Sequence, residues 1–529
     1  MKERVALLSV FDKADIVGFA QALIGHGFKI YASGGTFKYL SENGVAVLPV
    51  ANLVGGEAIL GHRVVTLSRE VHAGLLAKNT EADIAELASL AIPRIDLVCV
   101  DMYPLQAEIA KSGSTRESVI EMIDIGGPTM IRSGAKGGRI VICDPKDRAL
   151  VISWLNAGSP DNYFVRDLAA KGEFTVAKYC EAAARYLSTG KYIGLFGERV
   201  IECRYGENAW QAPAYLYSSG TDDPLALDKF VLVEGMPLGY NNLLDIERAL
   251  QTVTHLMAVK AKNFQYLATY MVAVGVKHGN ACGAALGNDP SDIFHRTMAG
   301  DPMAIFGGLL MTTFPFSEYH AEALAGKKLD AIVAPNFSKE VIGILRRKND
   351  KCRFVTNPAL VSLDQGSLDT AERFRYVRGG ILVQPNYTFV PSLSDGSIKI
   401  CLGKASQSEE CDMMLAWAIG STSNSNTITL VKDGQLIGNG VGQQDRVGAA
   451  KLAIDRANRA GHSTAGASAY SDSFFPFPDG PQALIDAGIT AIFTSSGSFR
   501  DNETIKVCAD HNIALYMIPD KVGRGFFGH

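Results

Sequence analysis

Residues 30–40 read IYASGGTFKYL: a β-branched and aromatic run, a Ser-Gly-Gly-Thr turn, and then the start of an amphipathic stretch. This order predicts a strand that passes directly into a helix. Further strand-like runs, separated by helix-like stretches, occur at VALLSVF (5–11), FKIYA (28–32) and GRIVICDP (138–145). Alternation of strands and helices is typical of a parallel sheet covered by helices on both faces. The first part of the chain is therefore predicted to be a doubly wound α/β domain.

The composition indicates a multidomain protein that binds neither nucleic acid nor membrane. The chain has 529 residues, 47% of them hydrophobic, which exceeds what one hydrophobic core normally supports. With 51 basic against 55 acidic residues, no overall field attracts nucleic acid or anionic lipid. The apolar run LATYMVAVGV (267–276) is too short to span a bilayer, and no signal peptide is visible, so we predict a cytoplasmic location. The nine cysteines form no Cys-x-x-Cys pair, which argues against a disulfide framework or a cysteine-held metal.

The α/β pattern closes near residues 175–190 and a polar joint follows, so we place a domain boundary at 195–200. The predicted domains are residues 1–197 and 198–529. The second region is also α/β, and a segment rich in charge and turn residues at 340–400 predicts a seam between two subdomains there.

Two glycine-rich turns in the first domain are candidate anion sites. The Ser-Gly-Gly-Thr turn offers backbone amides at a helix start, which suits a phosphate, although such turns also end ordinary strand-to-helix loops. IDIGGPTMIRSGAK (123–136) again places Gly-Gly beside an acid, Asp124, and continues to Lys136. With Lys13 and Arg63, these turns are expected at the carboxyl ends of the parallel strands, where doubly wound sheets bind ligands. The alternative for Lys136 is a solvated helix residue.

VGVKHGNACG (274–283) places Lys277 and His278 where an apolar strand gives way to a glycine turn. Strand ends of this kind are common positions for reacting groups. A single histidine in such a place is more often a satisfied structural residue. Several further turn-rich segments combine glycine with Asn, Arg or aromatic residues, as expected where backbone approaches a planar polar ligand: CRYGENAWQ (203–211), LGYNNLLD (238–245), IFGG (305–308), LDAIVAP (329–335), SNSNTITLVKDGQLIGNGVGQQDRV (423–447) and SDSFFPFPDG (471–480).

Jointly and in this order, these segments resemble the bifunctional AICAR transformylase/IMP cyclohydrolase family of purine biosynthesis. In the first domain SVFDK, ASGGT, MYP and IDIGGPTMIRSGAK carry the resemblance, which continues through the whole chain. It implies an amino-terminal methylglyoxal-synthase-like domain, followed by two cytidine-deaminase-like α/β subdomains. The zinc motifs of deaminases, His-x-Glu or Cys-x-Glu with Pro-Cys-x-x-Cys, do not occur in this chain, so no metal catalysis is expected.

The resemblance implies two reactions. A formyl group moves from 10-formyltetrahydrofolate to the 5-amino group of AICAR, and the product FAICAR closes to IMP. The implied catalytic residues are Lys277, His278 and Asn426 for formyl transfer, and Tyr103, Asp124 and Lys136 for ring closure. His278 is the implied base, because the amine of AICAR is a poor nucleophile that must lose a proton, and the charge of Lys277 favours the neutral imidazole. The implied substrate-binding and cofactor-binding residues are Lys13, Ser33, Gly34, Gly35, Thr36, Arg63, Thr66, Gly126, Gly127, Arg204, Tyr205, Phe306, Gly307, Asp330, Arg446, Phe474 and Asp479.

The family further implies a homodimer, because its transformylase site lies between protomers, and leaves room for a monovalent cation such as K⁺. The chain departs from the family pattern at Phe11, Val65 and Gly137-Gly138 in the first domain and, more mildly, at Ala209-Trp210 and Ala281 in the second. These departures keep two alternatives open. One is a paralogue that only transfers formyl groups, to AICAR or to a related aminocarboxamide ribonucleotide. The other is a nucleotide-binding regulator without catalysis.

Overall fold

The computed structural model describes residues 4–61, 63–324, 327–346 and 351–528, and the chain divides into two compact units, Met1–Phe196 and Gly197–His529. The first unit has five strands in a parallel sheet of order β3-β2-β1-β4-β5. Its elements are β1 Arg4–Ser9, α1 Ile16–Gly25, β2 Phe28–Ala32, α2 Gly34–Glu42, β3 Leu48–Pro49, α3 Ala51–Val54, α4 Arg69–Leu76, α5 Glu81–Ser89, β4 Leu97–Val100, α6 Leu105–Ala110, α7 Arg116–Glu121, α8 Gly126–Lys136, β5 Ile140–Ile142, α9 Asp147–Asn156 and α10 Tyr163–Leu187.

Both faces of this sheet are buried, as the sequence of its central strand dictates. In β1, Val5 and Leu7 enter the apolar cluster beneath α4 and α8, while Ala6 and Leu8 enter the cluster beneath α1, α2 and α9. Successive side chains of a strand point to opposite faces, so the unbroken apolar run requires helices on both sides. The doubly wound α/β architecture predicted for this part of the chain is confirmed.

The second unit contains a two-stranded sheet (β6 and β7), a second one (β14 and β15) and a mixed sheet of 12 strands. Its elements are β6 Glu198–Cys203, β7 Ala214–Ser218, β8 Val231–Glu234, α11 Tyr240–Asn263, β9 Met271–Lys277, β10 Asn280–Gly287, α12 Pro290–Ala299, β11 Leu309–Thr312, α13 Glu318–Leu324, β12 Ala331–Ala334, α14 Lys339–Leu345, β13 Arg353–Thr356, β14 Glu372–Val377, β15 Gly380–Pro385, β16 Lys399–Leu402, α15 Gln407–Gly420, β17 Ile428–Lys432, β18 Gln435–Gly440, α16 Arg446–Arg459, β19 Ser468–Ser471, α17 Asp479–Asp486, β20 Ala491–Ser496, α18 Asp501–Asp510, β21 Ala514–Pro519 and α19 Asp520–Gly523.

The large sheet is an internal duplication. Its strand order, β16-β21-β20-β19-β17-β18-β10-β9-β11-β12-β13-β8, reads as two equivalent halves that meet where β10 pairs with β18. In each half a long helix (α11 or α15) precedes an antiparallel hairpin (β9-β10 or β17-β18), and three parallel strands with their helices follow. Because the junction is antiparallel, the equivalent hairpin turns lie at opposite edges of the sheet. This architecture confirms the two α/β subdomains predicted for the second region.

The cores of the second unit follow the duplication. One face of the sheet lies on a continuous apolar cluster under α11 and α15, which includes the fully buried Trp417. The other face carries two separate clusters, one beneath α12, α13 and α14 and one beneath α16 and α17. Both long helices are buried on all sides over most of their length, so α11 has no amphipathic stripe and buries polar residues such as Arg248, His255 and Lys260.

Between β13 and β16, where the sequence predicts the seam, the chain forms the β14-β15 hairpin. Within the described ranges, no helix is long and apolar enough to cross a membrane. The same residues contain no cluster of three or more His, Cys, Asp or Glu side chains arranged to hold a metal ion.

Candidate functional site

The strand register brings the candidate formyl-transfer residues to one edge of the large sheet. Ile428, at the start of β17, lies opposite Gly440 at the end of β18 and opposite Ser471 at the end of β19. The turn after β9 reaches the same edge, since β10 and β18 are antiparallel partners. The residues that therefore share this edge are Lys277, His278, Phe306, Gly307, Asp330, Asn426, Arg446, Phe474 and Asp479.

His278 occupies the tip of a two-residue hairpin turn. It has a φ of 52° and Gly279 a φ of 68°, so both central residues are in the left-handed region, as in a type I′ turn. The Asp245 carboxylate on α11 accepts a hydrogen bond of 2.8 Å from the Gly279 amide. Burial raises the pKa of Asp245, and the turn amides and His278 oppose that shift. His278 itself is exposed at the edge, so its imidazole is available to a ligand.

Lys277 is tied to the loop that precedes β11. Its Nζ donates a 2.7 Å hydrogen bond to the carbonyl of Phe306. An ammonium group has three N–H donors, so two others are left for a substrate. Gly308 permits this approach, because a Cβ there would lie 2.7 Å from the Val276 carbonyl oxygen and 3.3 Å from the Cβ of Lys277.

Asn426 lies in the loop between α15 and β17, next to the His278 turn. Its side-chain amide donates to the Gln443 carbonyl at 2.9 Å, and its peptide bond with Ser425 is cis. Two residues earlier, the amide of Asn424 donates to the side chain of Asn280 at 3.2 Å, and Asn280 follows the turn directly. The structure therefore brings the predicted base, the predicted amide and the predicted ammonium group to one place.

The duplicated hairpin offers a comparison inside the same chain. Lys432, Asp433 and Gly434 stand where Lys277, His278 and Gly279 stand in the first half. Asp433 and Gly434 also have positive φ, and Lys432 Nζ also donates to a backbone carbonyl, that of Ala465, at 2.7 Å. Asp412 is the sixth residue of α15, as Asp245 is of α11, and it accepts hydrogen bonds from both turn amides. The turn, the lysine contact and the helix carboxylate thus belong to the fold, whereas the imidazole is particular to one edge.

Six other predicted residues are placed by the loops of this edge. Gly307 has a φ of 76°, and a Phe306 ring that is 54% exposed lies under Lys328 at 5.3 Å. The amide of Asp330 donates to the Gly308 carbonyl at 2.9 Å. Arg446 is buried and forms an ion pair with the fully buried Asp472, so its guanidinium is already engaged. Phe474 is half-buried, whereas its neighbour Phe475 is in the core, and Asp479 begins α17.

Arg204 and Tyr205 follow β6 and lie in a separate loop. The Arg204 guanidinium lies 5.8 Å from the centre of the Tyr205 ring. The next residues of the loop, together with Tyr240 at the start of α11, line a cavity of about 450 Å³. Asn241 joins the two walls by donating from its side chain to the Glu207 carbonyl at 3.2 Å. The lining residues are Gly206, Glu207, Gln211, Ala212, Pro213, Ala214 and Tyr240.

In the first unit, the predicted phosphate turn sits at the carboxyl ends of β1 and β2. Ser33 is the residue before α2, Gly34 and Gly35 form its first turn, and added Cβ atoms on these glycines would meet nothing within 4 Å. The hydroxyl of Thr36 bonds the amide and the carbonyl of Val10, which fixes the end of β1. Lys13 Nζ donates to the carbonyls of Val10 and Phe11, and burial lowers its pKa.

Tyr103 and Asp124 lie together near this turn. Burial raises the pKa of Asp124, and the Gly127 amide, which donates to its carboxylate at 2.9 Å, opposes that shift. Burial and the charge of Asp124 raise the pKa of Tyr103. Thr66 lies beside them, since a Cβ on Gly126 would come within 2.7 Å of its hydroxyl. Phe11 contacts the Tyr103 ring edge to face at 5.9 Å, so this departure from the family pattern lies at the site.

Two predicted residues of this unit remain, and one of them, Lys136, lies away from this group. Lys136 ends α8, ten residues and therefore roughly 15 Å along the axis from Gly126. Arg63 is exposed and pairs with Glu121 at 2.7 Å. The Gly137-Gly138 departure lies at the end of α8 with Lys136: a Cβ on Gly137 would come within 1.9 Å of the Leu75 carbonyl oxygen, and Gly138 has a φ of 68°. Both glycines are thus explained by the backbone of this unit.

Several contributors were not singled out from the sequence. Asp245 and Asn280 lie inside the quoted motifs LGYNNLLD and VGVKHGNACG, but nothing local distinguishes a carboxylate that holds a turn from a surface one. Asp472 is likewise contained in SDSFFPFPDG. Asp245 can be identified because it occupies the same position in the first half as Asp412 does in the second. That correspondence is visible only once the duplication is known.

Comparison with known proteins agrees with this description. Residues 138–456 match the family described as AICARFT/IMPCHase bienzyme, and residues 15–129 match the MGS-like domain. The chain is 37% identical over 530 aligned positions to the bifunctional purine biosynthesis protein PurH of Bacillus cereus (strain AH187), covering 97% of this chain and 98% of the relative. It is 36% identical, with the same coverage, to the PurH proteins of Bacillus thuringiensis (strain Al Hakam) and Bacillus anthracis (strain CDC 684 / NRRL 3495). The crystal structure of ForH matches 36% of this chain and 100% of its own at 33% identity, with a TM-score of 0.33.

Proposed function

The chain belongs to the AICARFT/IMPCHase bienzyme family, as its motifs predicted, and on that premise we propose how its two units perform the AICAR formyltransferase and IMP cyclohydrolase reactions of purine biosynthesis. Residues 198–529 transfer the formyl group from 10-formyltetrahydrofolate to AICAR. Residues 1–197 close FAICAR to IMP. The observation that carries the first assignment is an exposed imidazole, His278, on a turn whose Gly279 amide donates to the half-buried Asp245 carboxylate, beside the Asn426 loop.

Formyl transfer needs a base, a donor and a positioned amide. As the amine nitrogen of AICAR attacks the formyl carbon, His278 accepts its proton, so that the new C–N bond forms without a cationic product. The free N–H groups of Lys277 face the developing charge on the formyl oxygen and then the departing folate nitrogen, which leaves with a proton. Asn426 orients the carboxamide of the substrate, because its own side chain is fixed by the Gln443 carbonyl.

The binding residues divide between nucleotide and folate. Arg204 and Tyr205 bind the nucleotide beside the cavity under α11, where a guanidinium and a phenol suit a phosphate and a ring. Phe306, Gly307 and Asp330 lie on the Lys277 side of the edge, and Phe474 and Asp479 on the Asn426 side, so the flat pterin is placed between them. Arg446 acts through Asp472, to which it is bound.

Ring closure is assigned to Tyr103 and Asp124 in the first unit. Ser33, Gly34, Gly35 and Thr36 hold the phosphate with the positive end of α2 behind them, assisted by Lys13, Thr66, Gly126 and Gly127. As the carboxamide nitrogen of FAICAR attacks the formyl carbon, the Asp124 carboxylate accepts its proton and the Tyr103 hydroxyl protonates the formyl oxygen. That oxygen then takes the proton from Asp124 and leaves as water, while the formamide N–H returns a proton to Tyr103. The roles implied for Arg63 and Lys136 remain predictions, since Lys136 lies at the far end of α8.

The test uses the hairpin and its duplicate. We expect His278→Asn to lower kcat for formyl transfer by roughly 10²- to 10⁴-fold, since Asn-Gly retains the type I′ turn while the base is lost. The control, Asp433→Asn, makes the same change of turn residue at the opposite edge and leaves formyl transfer within about twofold. Ring closure, assayed separately with FAICAR, stays unchanged in both. An undiminished rate in His278→Asn contradicts its assignment as the base.

Phe11 beside Tyr103 gives the formyltransferase-only alternative a specific basis, and the separate assay decides it. Formyl transfer without conversion of FAICAR to IMP supports that alternative. A Phe11→Ser variant that gains ring closure identifies the phenyl ring as the cause. A regulator without catalysis is contradicted by any turnover that depends on His278.

We further propose a monovalent cation, such as K⁺, near Asp472. This carboxylate is fully buried, and its second oxygen has no hydrogen-bond partner among the described residues. Backbone carbonyls and a carboxylate oxygen suit a hard monovalent cation. The measurement is formyl transfer in K⁺ against tetramethylammonium; equal rates and equal melting temperatures contradict the proposal.

A homodimer is proposed as the working assembly, as the family implies. The β14-β15 hairpin supports it, because Tyr376 is 80% exposed on the face that it shares with Phe374 and Val383, and Leu382 is 60% exposed on the other face. Exposed apolar groups of this extent mark interaction surfaces. Sedimentation of the whole chain and of Tyr376→Asp/Leu382→Asp tests this; a monomer that still transfers formyl groups contradicts it. The cytoplasmic location remains a prediction.

A further inference from the structure

Phe527, the last aromatic residue of the described chain, lies between two arginines. Phe527 has the guanidinium carbon of Arg248 at 3.5 Å from its ring centre and that of Arg373 at 3.5 Å as well. Arg248 comes from the buried helix α11 and Arg373 from the exposed hairpin strand β14. A cation over an aromatic face is attracted by the ring quadrupole. Two cations this close repel each other unless something of opposite polarity lies between them, and the ring fills that position.

The arginines are also fixed by ordinary hydrogen bonds. Arg373 donates to the carbonyl of Phe527 itself, and Arg248 donates to the carbonyl of Thr422 at the end of α15. Burial and the charge of Arg373 lower the pKa of Arg248, and the carboxylates of Glu247 and Asp245 oppose that shift. Glu247 opposes the lowering of the pKa of Arg373 as well. The clamp therefore joins three distant parts of the second unit at one ring.

The clamped tail is bonded along the loop that carries Asn426. The amide of Phe527 donates to the Ser423 carbonyl at 3.0 Å, and the amide of Ser425 donates to the Gly528 carbonyl at 3.0 Å. The loop continues to the active edge through Asn424, whose amide donates to the Asn280 side chain next to the His278 turn. Both of these backbone hydrogen bonds between the tail and the loop thus fall within three residues of Asn426.

We propose that Phe527, clamped by Arg248 and Arg373, is a positioning residue for formyl transfer, which holds the Ser423–Asn426 segment against the His278 turn. This inference rests on the proposed role of the edge in formyl transfer. The ring contacts neither the substrate nor the reacting atoms. It acts through the backbone hydrogen bonds between the tail and the Asn426 loop.

The test compares rings with a ringless side chain of similar size. Phe527→Leu removes the aromatic quadrupole but keeps an apolar side chain. We expect kcat for formyl transfer to fall at least about tenfold, because two cation–π contacts of ordinary strength are lost. We expect KM for AICAR to change less than about threefold. Phe527→Tyr retains the aromatic face and restores kcat to within about threefold. The ring-closure rate on FAICAR stays constant, since its residues lie in the other unit.

A second pair of variants covers the case in which the tail variants fold poorly. Arg373→Ala removes one side of the clamp from an exposed strand and lowers kcat in the same direction, whereas Arg375→Ala, on the same strand and also exposed, leaves it unchanged. Tryptophan fluorescence, to which the fully buried Trp417 contributes, checks that the second unit is folded. Full kcat in Phe527→Leu or Arg373→Ala overturns the inference, as does an equal loss in Phe527→Tyr and Phe527→Leu. A wild-type protein without formyl transfer refutes the proposed function instead.

Discussion

The duplication allows the contribution of the turn to catalysis to be separated from its contribution to the fold. Asp245→Ala removes the carboxylate that accepts the Gly279 amide, and Asp412→Ala removes its equivalent at the opposite edge. Both changes weaken a hairpin turn by the same chemistry. Only the first turn carries His278.

The magnitude follows from the hydrogen bond and the backbone conformation. A hydrogen bond to a charged group contributes about 1.5–3 kcal/mol, and a residue other than glycine in the left-handed region costs roughly 1–2 kcal/mol. Without Asp245, the bond no longer offsets the cost of His278 at a φ of 52°. We therefore expect the productive turn to be depopulated, and kcat/KM for formyl transfer to fall by roughly 10- to 100-fold. Asp245→Asn keeps a neutral hydrogen-bond acceptor, so its kcat/KM is expected to lie between those of the wild-type protein and Asp245→Ala.

The assay is steady-state formyl transfer from 10-formyltetrahydrofolate to AICAR, with thermal unfolding of each variant measured alongside. Asp412→Ala is expected to alter the melting temperature but to keep kcat/KM within about threefold, since no reacting group depends on its turn. The reasoning is refuted if Asp245→Ala retains the wild-type kcat/KM. It is refuted equally if Asp412→Ala loses as much activity as Asp245→Ala.

Three further predictions concern pH and packing. Burial raises the pKa of Asp412 from 3.8 to about 6, so the folded state binds this proton more tightly than the unfolded state does. Between pH 4 and 6 this group therefore lowers the free energy of unfolding by about 1.4 kcal/mol for each unit by which the pH rises. Urea unfolding of Asp412→Asn, followed by tryptophan fluorescence, should lack that slope. Burial also raises the pKa of Asp124, so ring closure should decline with falling pH from a pH above the ordinary carboxyl range, and a rate profile with an unshifted acid limb contradicts its role. Gly283→Ala and Gly438→Ala each place a Cβ within 2.1 or 2.3 Å of a helix carbonyl and should lower stability by about 1–3 kcal/mol, whereas Gly343→Ala, which meets nothing within 4 Å, should raise it by roughly 0.5–1 kcal/mol in thermal unfolding.

Local patterns in the sequence predicted the elements, and distant contacts decided the site. The strand, turn and helix at 30–40 are all local, and so is the hairpin at 274–283, whose His-Gly turn follows an apolar strand. The Arg248–Phe527–Arg373 clamp joins positions 125 and 154 residues apart, and no periodicity links them. Its only local sign is an aromatic pair near the end of the chain.

The duplication was hidden for a geometric reason. Lys277-His278-Gly279-Asn280 and Lys432-Asp433-Gly434-Gln435 share a visible pattern, but the distance from the helix carboxylate to the lysine is 32 residues in the first half and 20 in the second. Seven residues separate the helix from the first hairpin strand in both halves, but α11 continues for 18 residues beyond Asp245 and α15 for only 8 beyond Asp412, so the longer helix accounts for most of the difference. A repeat of unequal length leaves no fixed period to detect, although the three-dimensional equivalence is complete down to the lysine contact.

That equivalence also bears on why the two edges differ. Asp-Gly is a favourable pair for a type I′ turn. The second half has this pair at the edge opposite to the one where Asn426 lies. The first half places a histidine in the same left-handed position. An imidazole stabilises the turn no better than the aspartate carboxylate would. Both lysines donate one hydrogen bond of 2.7 Å to a backbone carbonyl, so the lysine alone does not identify a reactive edge. The difference in chemistry between the edges therefore resides in the imidazole and in the loop that the clamped tail holds beside it.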